Sequence, residues 1–434
     1  FLAGIAPTVW SGGYLTTPDS YTIVTYAQHI LDNHRIVPHS VYPFLQIITA
    51  GVSFVASLTA TQSFILLTAL AVASLSVVTF FLGKTIFQSN AAGFLSGFFA
   101  ISLPFIGRAI VLTPQNIFGF LFLVISVYIG MLFLKFRSIR WFIVFLFSIG
   151  VLLFVHPLSF GVFFVFLLLY LPIHFWRTFS WKYRLLAVAI FPILLYFGLM
   201  LMSIVLLRST YAIGFITRFL VEISTTGLNE PIILYQTYPT VFGAITINII
   251  VAAAFVFIYR YTLNWYYKRI IITLMIVPLV WANFYLLGVN FLSYRVILYL
   301  WLPASIVIAF FLLWYKKIFN KKMAIIITTL LVIIFANIGF NNIYKHYDDY
   351  GRNFIPTNDD LLALKWLRAN ISSSLSIMSI ERWPQIQNNV FGSMYHELGF
   401  FIVTDLTESP EPPKSPIVSV AEPSSAKLLG KLIL

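Results

Sequence analysis

Long apolar runs separated by short polar connections repeat along most of the chain, up to about residue 340. A helix rises 1.5 Å per residue, so about 20 apolar residues cross the roughly 30 Å hydrocarbon layer of a membrane. The runs predict spans at Gln62–Leu82, Ala91–Phe105, Pro114–Leu134, Trp141–Val155, Leu158–Phe175, Leu185–Leu207, Val241–Tyr259, Ile270–Leu287, Val296–Trp314 and Met323–Phe340. The pattern predicts an all-α polytopic membrane protein.

The composition supports this class. Hydrophobic residues make up 60% of the 434 residues and charged residues only 9%, whereas soluble domains carry about 25% charged residues. The chain has no cysteine, which excludes disulfides and thiolate metal sites. Its net charge of +13 is explained by basic loops on one side of a membrane, and no basic soluble domain is visible. Nucleic acid is therefore not an expected partner.

The basic residues gather at alternate ends of the predicted spans. They form groups at Lys84, Lys135–Arg140, Arg177–Arg184, Arg260–Arg269 and Lys316–Lys322. The positive-inside rule assigns these groups to the cytoplasm. The opposite connections then lie outside: residues 11–61, Gly107–Thr113, His156–Pro157, Arg208–Thr240, Gly288–Arg295 and everything from Asn341 onward.

The first outer loop, residues 11–61, contains two further segments. Asp19–Arg35 fits a short polar helix with one apolar face. Val41–Ala60 is apolar enough to span, but counting it as a span would put every later basic group outside. We therefore predict an amphipathic or re-entrant helix at the outer interface. Phe1–Ala6 resembles the end of an apolar segment, so a span or signal anchor is expected upstream.

The sequence changes character after residue 340. Asn358–Asn370 has the pattern of an amphipathic helix, Leu375–Ile380 fits a strand, and Ser409–Ser425 is rich in Pro and Ser. We predict two parts, a transmembrane domain at residues 1–340 and a small extracytoplasmic α/β domain with a Pro/Ser-rich tail at residues 341–434.

Four polar residues on the predicted outer side are candidates for chemistry, and each has a structural alternative. Asp19 follows Pro18 and fits a helix cap or first-turn acid. Arg108 fits an interfacial side chain that extends to headgroups. His156 fits a polar turn, and Arg295 fits a membrane anchor unless it faces the bundle interior.

The order and neighbours of these residues resemble the GT-C superfamily of polyprenol-dependent glycosyltransferases, including the catalytic subunit of oligosaccharyltransferase. Pro18–Tyr21 and Val41–Leu45 look like the acidic and Tyr-Pro landmarks of that family's first outer loop. Leu103–Arg108 resembles its Pro and Arg, and Tyr294–Val296 resembles its lipid-phosphate arginine. Leu364–Asn370 is similar to a helix of prokaryotic outer domains. The resemblance covers most of residues 18–370 and lies in the collinear order.

The resemblance implies a GT-C-like helix bundle that transfers a sugar from a polyprenyl-phosphate donor at the outer face. Asp19 would be the general base or would bind Mg²⁺ or Mn²⁺, and Glu230 would supply a distant second carboxylate. Where the family has acids after its arginine, this chain has Thr113–Asn116, which weakens metal binding. The Trp-Trp-Asp-Tyr-Gly motif of peptide-transferring members is absent, so peptide sequons are not the expected acceptor.

The donor side of the site follows from the same resemblance. Arg108 and Arg295 would stabilise the charge on the departing phosphate, with His156 and Tyr294 beside the donor. The expected partners are membrane lipids and the lipid-linked donor, and a membrane complex with other subunits is left open. The expected location is a multi-pass protein of a prokaryotic plasma membrane, rather than the endoplasmic reticulum, with its active face extracytoplasmic.

Two rival functions stay open. A degenerate family member would serve as a non-catalytic scaffold subunit of a membrane complex, and the small number of acidic residues favours this. A transporter or flippase is less favoured, because no internal repeat is evident and few charges lie within the spans.

Overall fold

A computed structural model describes residues 1–12, 15–36, 43–102, 104–175, 265–282, 296–318 and 321–349. Within these ranges the chain is helical and no strand occurs. The described helices, numbered in chain order, are α1 (Leu2–Trp10), α2 (Pro18–Asn33), α3 (Pro43–Ala56), α4 (Ala60–Phe87), α5 (Asn90–Ser102), α6 (Pro104–Leu112), α7 (Pro114–Phe136), α8 (Ile139–Val155), α9 (Pro157–Phe175), α10 (Trp265–Ala282), α11 (Trp301–Ile318) and α12 (Lys321–Asp349). A 3₁₀ turn, Ile297–Leu300, leads into α11.

Three of the described helices are long and apolar enough to cross a membrane: α4, α7 and the Ile325–Asp348 part of α12. Shorter apolar helices stand at most of the other predicted spans. The described part of the chain is thus consistent with an all-α membrane protein. The predicted spans Leu185–Leu207 and Val241–Tyr259 lie outside the described residues. So does the predicted outer domain, except that α12 continues past Asn341 to Asp349.

The prediction of a loop at Gly107–Thr113 is wrong. Helix α6 occupies Pro104–Leu112, and only Thr113 separates it from α7. The physical reason is the placement of two prolines. Proline suits the first position of a helix and disfavours helical geometry in the residue before it. Pro104 and Pro114 therefore each begin a helix, and they divide the region into two consecutive helices.

The segment predicted to be the first outer loop contains both predicted helices. The apolar face of α2 is confirmed, since Ile23 is 1% exposed and Ala27 is fully buried. Thr17 caps this helix: its side chain accepts a hydrogen bond from the Ser20 backbone N–H at 3.1 Å. Helix α3 has 14 residues, a length of about 21 Å, which is shorter than the hydrocarbon layer. Its position at the membrane interface stays a prediction.

Helices α4 and α5 form a close antiparallel pair through small residues. Cβ atoms added at Gly93 and Gly97 would lie 2.7 and 2.6 Å from carbonyl oxygens of α4. The Ser76 hydroxyl donates to the Gly97 carbonyl oxygen at 2.8 Å across the same interface. Small residues allow backbones to approach closely where lipid gives no hydrophobic drive for association.

Contacts along α12 fix the relative directions of several helices. The ring centroids of Phe99 and Phe335 are 5.2 Å apart, Gly339 packs on the Ser102 backbone, and Gly107 packs on Asn342. Residue numbers rise together on both sides, so α5 and α6 run parallel to α12. The C-terminal ends of α6 and α12 therefore lie at one end of the bundle.

Helices α7 and α9 also run parallel to each other. Gly119, near the start of α7, packs on Ser159 near the start of α9, and farther along Met131 and Tyr170 line the same cavity. Because α7 starts where α6 ends, both starts lie at the C-terminal end of α6. We call this the Thr113 end. The opposite end carries Lys84, Lys135, Arg140, Lys268 and Lys322, and we call it the basic end.

Candidate active site

The segments that carry Asp19 and Arg108 meet at the Thr113 end. The Thr16 hydroxyl donates to the Val111 carbonyl oxygen at 2.8 Å, and this hydrogen bond is buried. Thr16 stands three residues before Asp19, and Val111 three residues after Arg108. The backbones of α2 and α6 place both residues close to this contact, while their side chains lie outside the described part.

The structure shows which of the two structural roles predicted for Asp19, helix cap or first-turn acid, it occupies. Helix α2 begins at Pro18 and its cap is Thr17, so Asp19 occupies the first turn and is not the capping residue. An acid in the first turn is favoured by the helix dipole. This structural role is compatible with a functional one.

A cleft of mixed polarity lies beside the contact between α2 and α6. Its volume is about 20 Å³, or about 320 Å³ when the space open to its surroundings is included, and the walls come from α1, α2, α4, α6 and the first residue of α7. The polar part of the lining consists of four hydroxyl residues, Thr8, Thr16, Ser20 and Thr68. A hydroxyl that donates one hydrogen bond keeps lone pairs that accept others. The cleft therefore presents neutral acceptors to a polar ligand.

Internal hydrogen bonds use several of these hydroxyl groups. Thr68 donates to the Phe64 carbonyl oxygen at 2.9 Å, and Ser20 bonds the Thr17 hydroxyl at 2.8 Å. Thr16 is held by α6, as described above. The side chains are therefore fixed in orientation before any ligand arrives.

His156 belongs to a buried cluster of three polar side chains, together with Ser159 and Tyr299. The Ser159 hydroxyl lies 2.8 Å from His156 Nδ1 and 2.6 Å from the Tyr299 hydroxyl. The Ser159 backbone N–H also donates to His156 Nδ1, at 3.2 Å. We assign Nδ1 as an acceptor from this network, since a backbone N–H can only donate. His156 thus acts as the cap of α9 through its ring.

The cluster connects distant parts of the chain. Tyr299 lies in the 3₁₀ turn that follows Tyr294 and Arg295 in sequence, and its ring packs on Phe120 of α7, with centroids 4.9 Å apart. Gly119 leaves room for the His156 turn, because an added Cβ would meet His156 and Ser159 at less than 3 Å. Five residues of α7, about 7.5 Å of helix, separate Gly119 from Pro114 at the cleft.

Sequence reasoning identified His156 but missed Ser159, Tyr299 and Gly119. The spacing of Ser159 three residues after His156 was an available signal, because a capping side chain contacts the backbone N–H two or three positions later. The contact with Tyr299 spans 140 residues, and no sequence pattern indicates it. The remaining predicted residues, Glu230, Tyr294 and Arg295, lie outside the described residues.

Thr113–Asn116, which stands where the GT-C superfamily has acidic residues, forms the start of helix α7. The Asn116 side-chain amide donates to the Thr113 hydroxyl at 2.9 Å, and Asn116 is buried. Among the described residues, no group of three or more His, Asp or Glu is positioned to hold a metal ion. Neutral hydroxyls suit Mg²⁺ or Mn²⁺ poorly, since these ions recruit carboxylates. We assign no step to a metal.

Comparison with models of known families and with characterised proteins gives no match to this chain. The resemblance to the GT-C superfamily therefore rests on the residues quoted above.

Proposed function

We propose that this chain is a membrane glycosyltransferase of the GT-C type, which transfers a sugar from a polyprenyl-phosphate donor to an acceptor hydroxyl. One observation carries the proposal: the hydrogen bond from Thr16 to the Val111 carbonyl oxygen. It joins the segments of Asp19 and Arg108, which are 89 positions apart in sequence, beside a hydroxyl-lined cleft. The His156 cluster lies at the same end of the bundle.

The reaction we propose is a direct displacement at the sugar C1. The acceptor oxygen forms a bond to C1 while the bond from C1 to the phosphate oxygen breaks. The acceptor proton passes to the Asp19 carboxylate, and polyprenyl phosphate leaves with the bonding electron pair. Arg108 and Arg295 stabilise the charge that develops on this phosphate. The sugar is inverted at C1.

The remaining predicted residues complete this proposal. Glu230 is the candidate second carboxylate, and Tyr294 lies beside Arg295 on the donor side. His156 stays a candidate on the donor side, and through its Nδ1, which bonds Ser159 and Tyr299, it also orients the 3₁₀ turn after Arg295.

A scaffold subunit is the second candidate function. The observation that favours it is the neutral lining of the cleft, where the hydroxyls of Thr16, Ser20 and Thr68 bond within the protein. A scaffold would need the hydrogen bonds for folding but would not need the Asp19 carboxylate.

A matched pair of variants separates the two functions. The purified full chain is reconstituted in vesicles with a polyprenyl-phosphate-linked sugar, and release of polyprenyl phosphate is measured. We expect Asp19→Asn to lower the rate at least 100-fold, because general-base catalysis contributes about 10²–10⁴-fold. Asp32→Asn is the control, since Asp32 is the other acid of the same helix and is exposed at its opposite end, where it accepts a hydrogen bond from Gln28.

Two outcomes contradict this proposal, the first in its reaction and the second in the role of Asp19. In one, the unaltered chain releases no polyprenyl phosphate from donors with common sugars, although it folds. In the other, Asp19→Asn and Asp32→Asn transfer sugar at the same rate. The second outcome keeps sugar transfer but removes Asp19 from the chemistry.

A further inference from the structure

The parts of the sequence that form the basic end contain basic residues but no acidic residue. No Asp or Glu occurs between Asp32 and Glu222, or between Glu230 and Asp348. The basic end is built from α4, α5, α7, α8, α10 and the start of α12, which all lie within these stretches. The α7–α8 turn and the start of α10 alone carry Lys135, Arg137, Arg140 and Lys268. Positive charges grouped in this way attract anions.

A cavity opens between helices close to this charge. Its volume is about 50 Å³, or about 410 Å³ when the space open to its surroundings is included, and its walls come from α7, α8, α9 and α10. The lining is almost entirely apolar and includes Phe145, Phe163 and Phe166. On α7 it extends from Ser126 to Leu134, which is about 12 Å of helix. The cavity has the length and polarity for part of a hydrocarbon chain.

One end of the cavity lies beside basic residues along the sequence of two of its helices. Leu134 lines the cavity and Lys135 is the next residue of α7; Ile270 lines it and follows Arg269 on α10. Lys135 is exposed, and its Nζ lies 5.4 Å from the centroid of the Phe136 ring. Phe136 in turn stacks on Trp141 with centroids 6.1 Å apart. Aromatic and basic residues in this arrangement are typical of the membrane–water interface.

We propose that this site binds one anionic phospholipid of the leaflet at the basic end. An acyl chain occupies the apolar cavity, and the phosphate lies among Lys135, Arg140 and Lys268. The apolar walls select a hydrocarbon chain, and the grouped positive charge selects an anionic headgroup. Basic pockets between membrane helices bind anionic lipids by this combination. The proposal is independent of the sugar-transfer function, because the site lies at the opposite end of the bundle.

The test compares two lipids with identical acyl chains, phosphatidylglycerol and phosphatidylcholine. Each is titrated into the detergent-solubilised full chain, and bound lipid is counted by native mass spectrometry. We expect one phosphatidylglycerol per chain to be retained, at least tenfold more strongly than phosphatidylcholine. Inorganic phosphate at millimolar concentration should leave it bound, because free phosphate lacks the chain that fills the cavity. Equal retention of the two lipids, or displacement by inorganic phosphate, overturns the proposal.

Variants test the two parts of the site separately. Lys135→Gln with Arg140→Gln should lower retention of phosphatidylglycerol about tenfold, and Lys84→Gln, a change of an exposed cation elsewhere at the basic end, should not. Leu134→Trp should block the cavity without altering charge. Its control is Leu146→Trp, since Leu146 is 50% exposed and does not line the cavity. The proposal fails if either control variant loses as much lipid as the variant it matches.

Discussion

At the scale of single residues, Gly119 is the position where α7 can approach the His156 turn. An alanine Cβ there would lie 2.7 Å from His156 Cγ and 2.8 Å from His156 Cβ, distances at which one partner has to move. The ring cannot move freely, because its Nδ1 is bonded by Ser159 and Tyr299. A small steric change at Gly119 is therefore transmitted to the 3₁₀ turn.

We predict that Gly119→Ala lowers the free energy of unfolding by about 1–3 kcal/mol, the usual cost of inserting a methyl group into a packed interior. The measurement is denaturant unfolding in detergent micelles. Gly51→Ala is the control, because an added Cβ at Gly51 meets nothing within 4 Å. Alanine is favoured over glycine within a helix by about 1 kcal/mol, so the control variant should be slightly stabilised. Equal effects of the two substitutions would contradict the steric account of Gly119.

At the scale of helices, α3 has exposed apolar residues and too little length to span. Phe54 is 79% exposed and Val55 is 84% exposed, whereas Leu45 and Ala50 are buried on the side that faces the bundle. A helix with one buried face and one exposed apolar face suits the boundary between headgroups and acyl chains.

We predict that a spin label at Phe54→Cys lies at a shallow depth in the bilayer, and that one at Phe147→Cys lies near the centre. Phe147 is 72% exposed and stands midway along α8, so it provides the deep reference. The chain has no native cysteine, and each variant therefore carries a single label. Depth is measured by paramagnetic relaxation with oxygen and a water-soluble metal complex. Equal depths for the two labels would show that α3 enters the hydrocarbon core.

The helices also show which parts of the fold can be predicted from the sequence. Span positions such as Pro114–Leu134 were predictable, because apolar length alone determines them. The helix Pro104–Leu112 was missed, because the composition of so short a segment between two prolines fits a loop as well as a helix. The contact of Ser159 with Tyr299 depends on how helices far apart in sequence pack together, which hydrophobic pattern does not encode. Sequence reasoning therefore named His156 as a candidate but could not indicate the tertiary contacts that surround it.

At the scale of the whole molecule, the helix directions and the distribution of charge agree. Helices α5 and α6 run parallel to α12, and α7 runs parallel to α9, so the Thr113 end and the basic end lie at opposite sides of the bundle. Trp10 supports this arrangement through its packing on α12. Its ring centroid lies 5.6 Å from that of Phe340 and 5.3 Å from that of Tyr344, both near the C-terminal end of that helix.

These directions make the orientation in the membrane testable with two substitutions. Ser57 is exposed just before the start of α4, and Ser138 precedes α8 beside the basic residues Arg137 and Arg140. Ser57→Cys should react with a membrane-impermeant maleimide from outside the cell, because the positive-inside rule predicts that the basic end lies in the cytoplasm. Ser138→Cys should react only after the membrane is opened. If both cysteines react from the same side, α4 and α7 do not both span the bilayer. If the two sides are exchanged, the bundle stays intact but the cleft near Asp19 faces the cytoplasm, where an outer-face sugar transfer could not take place.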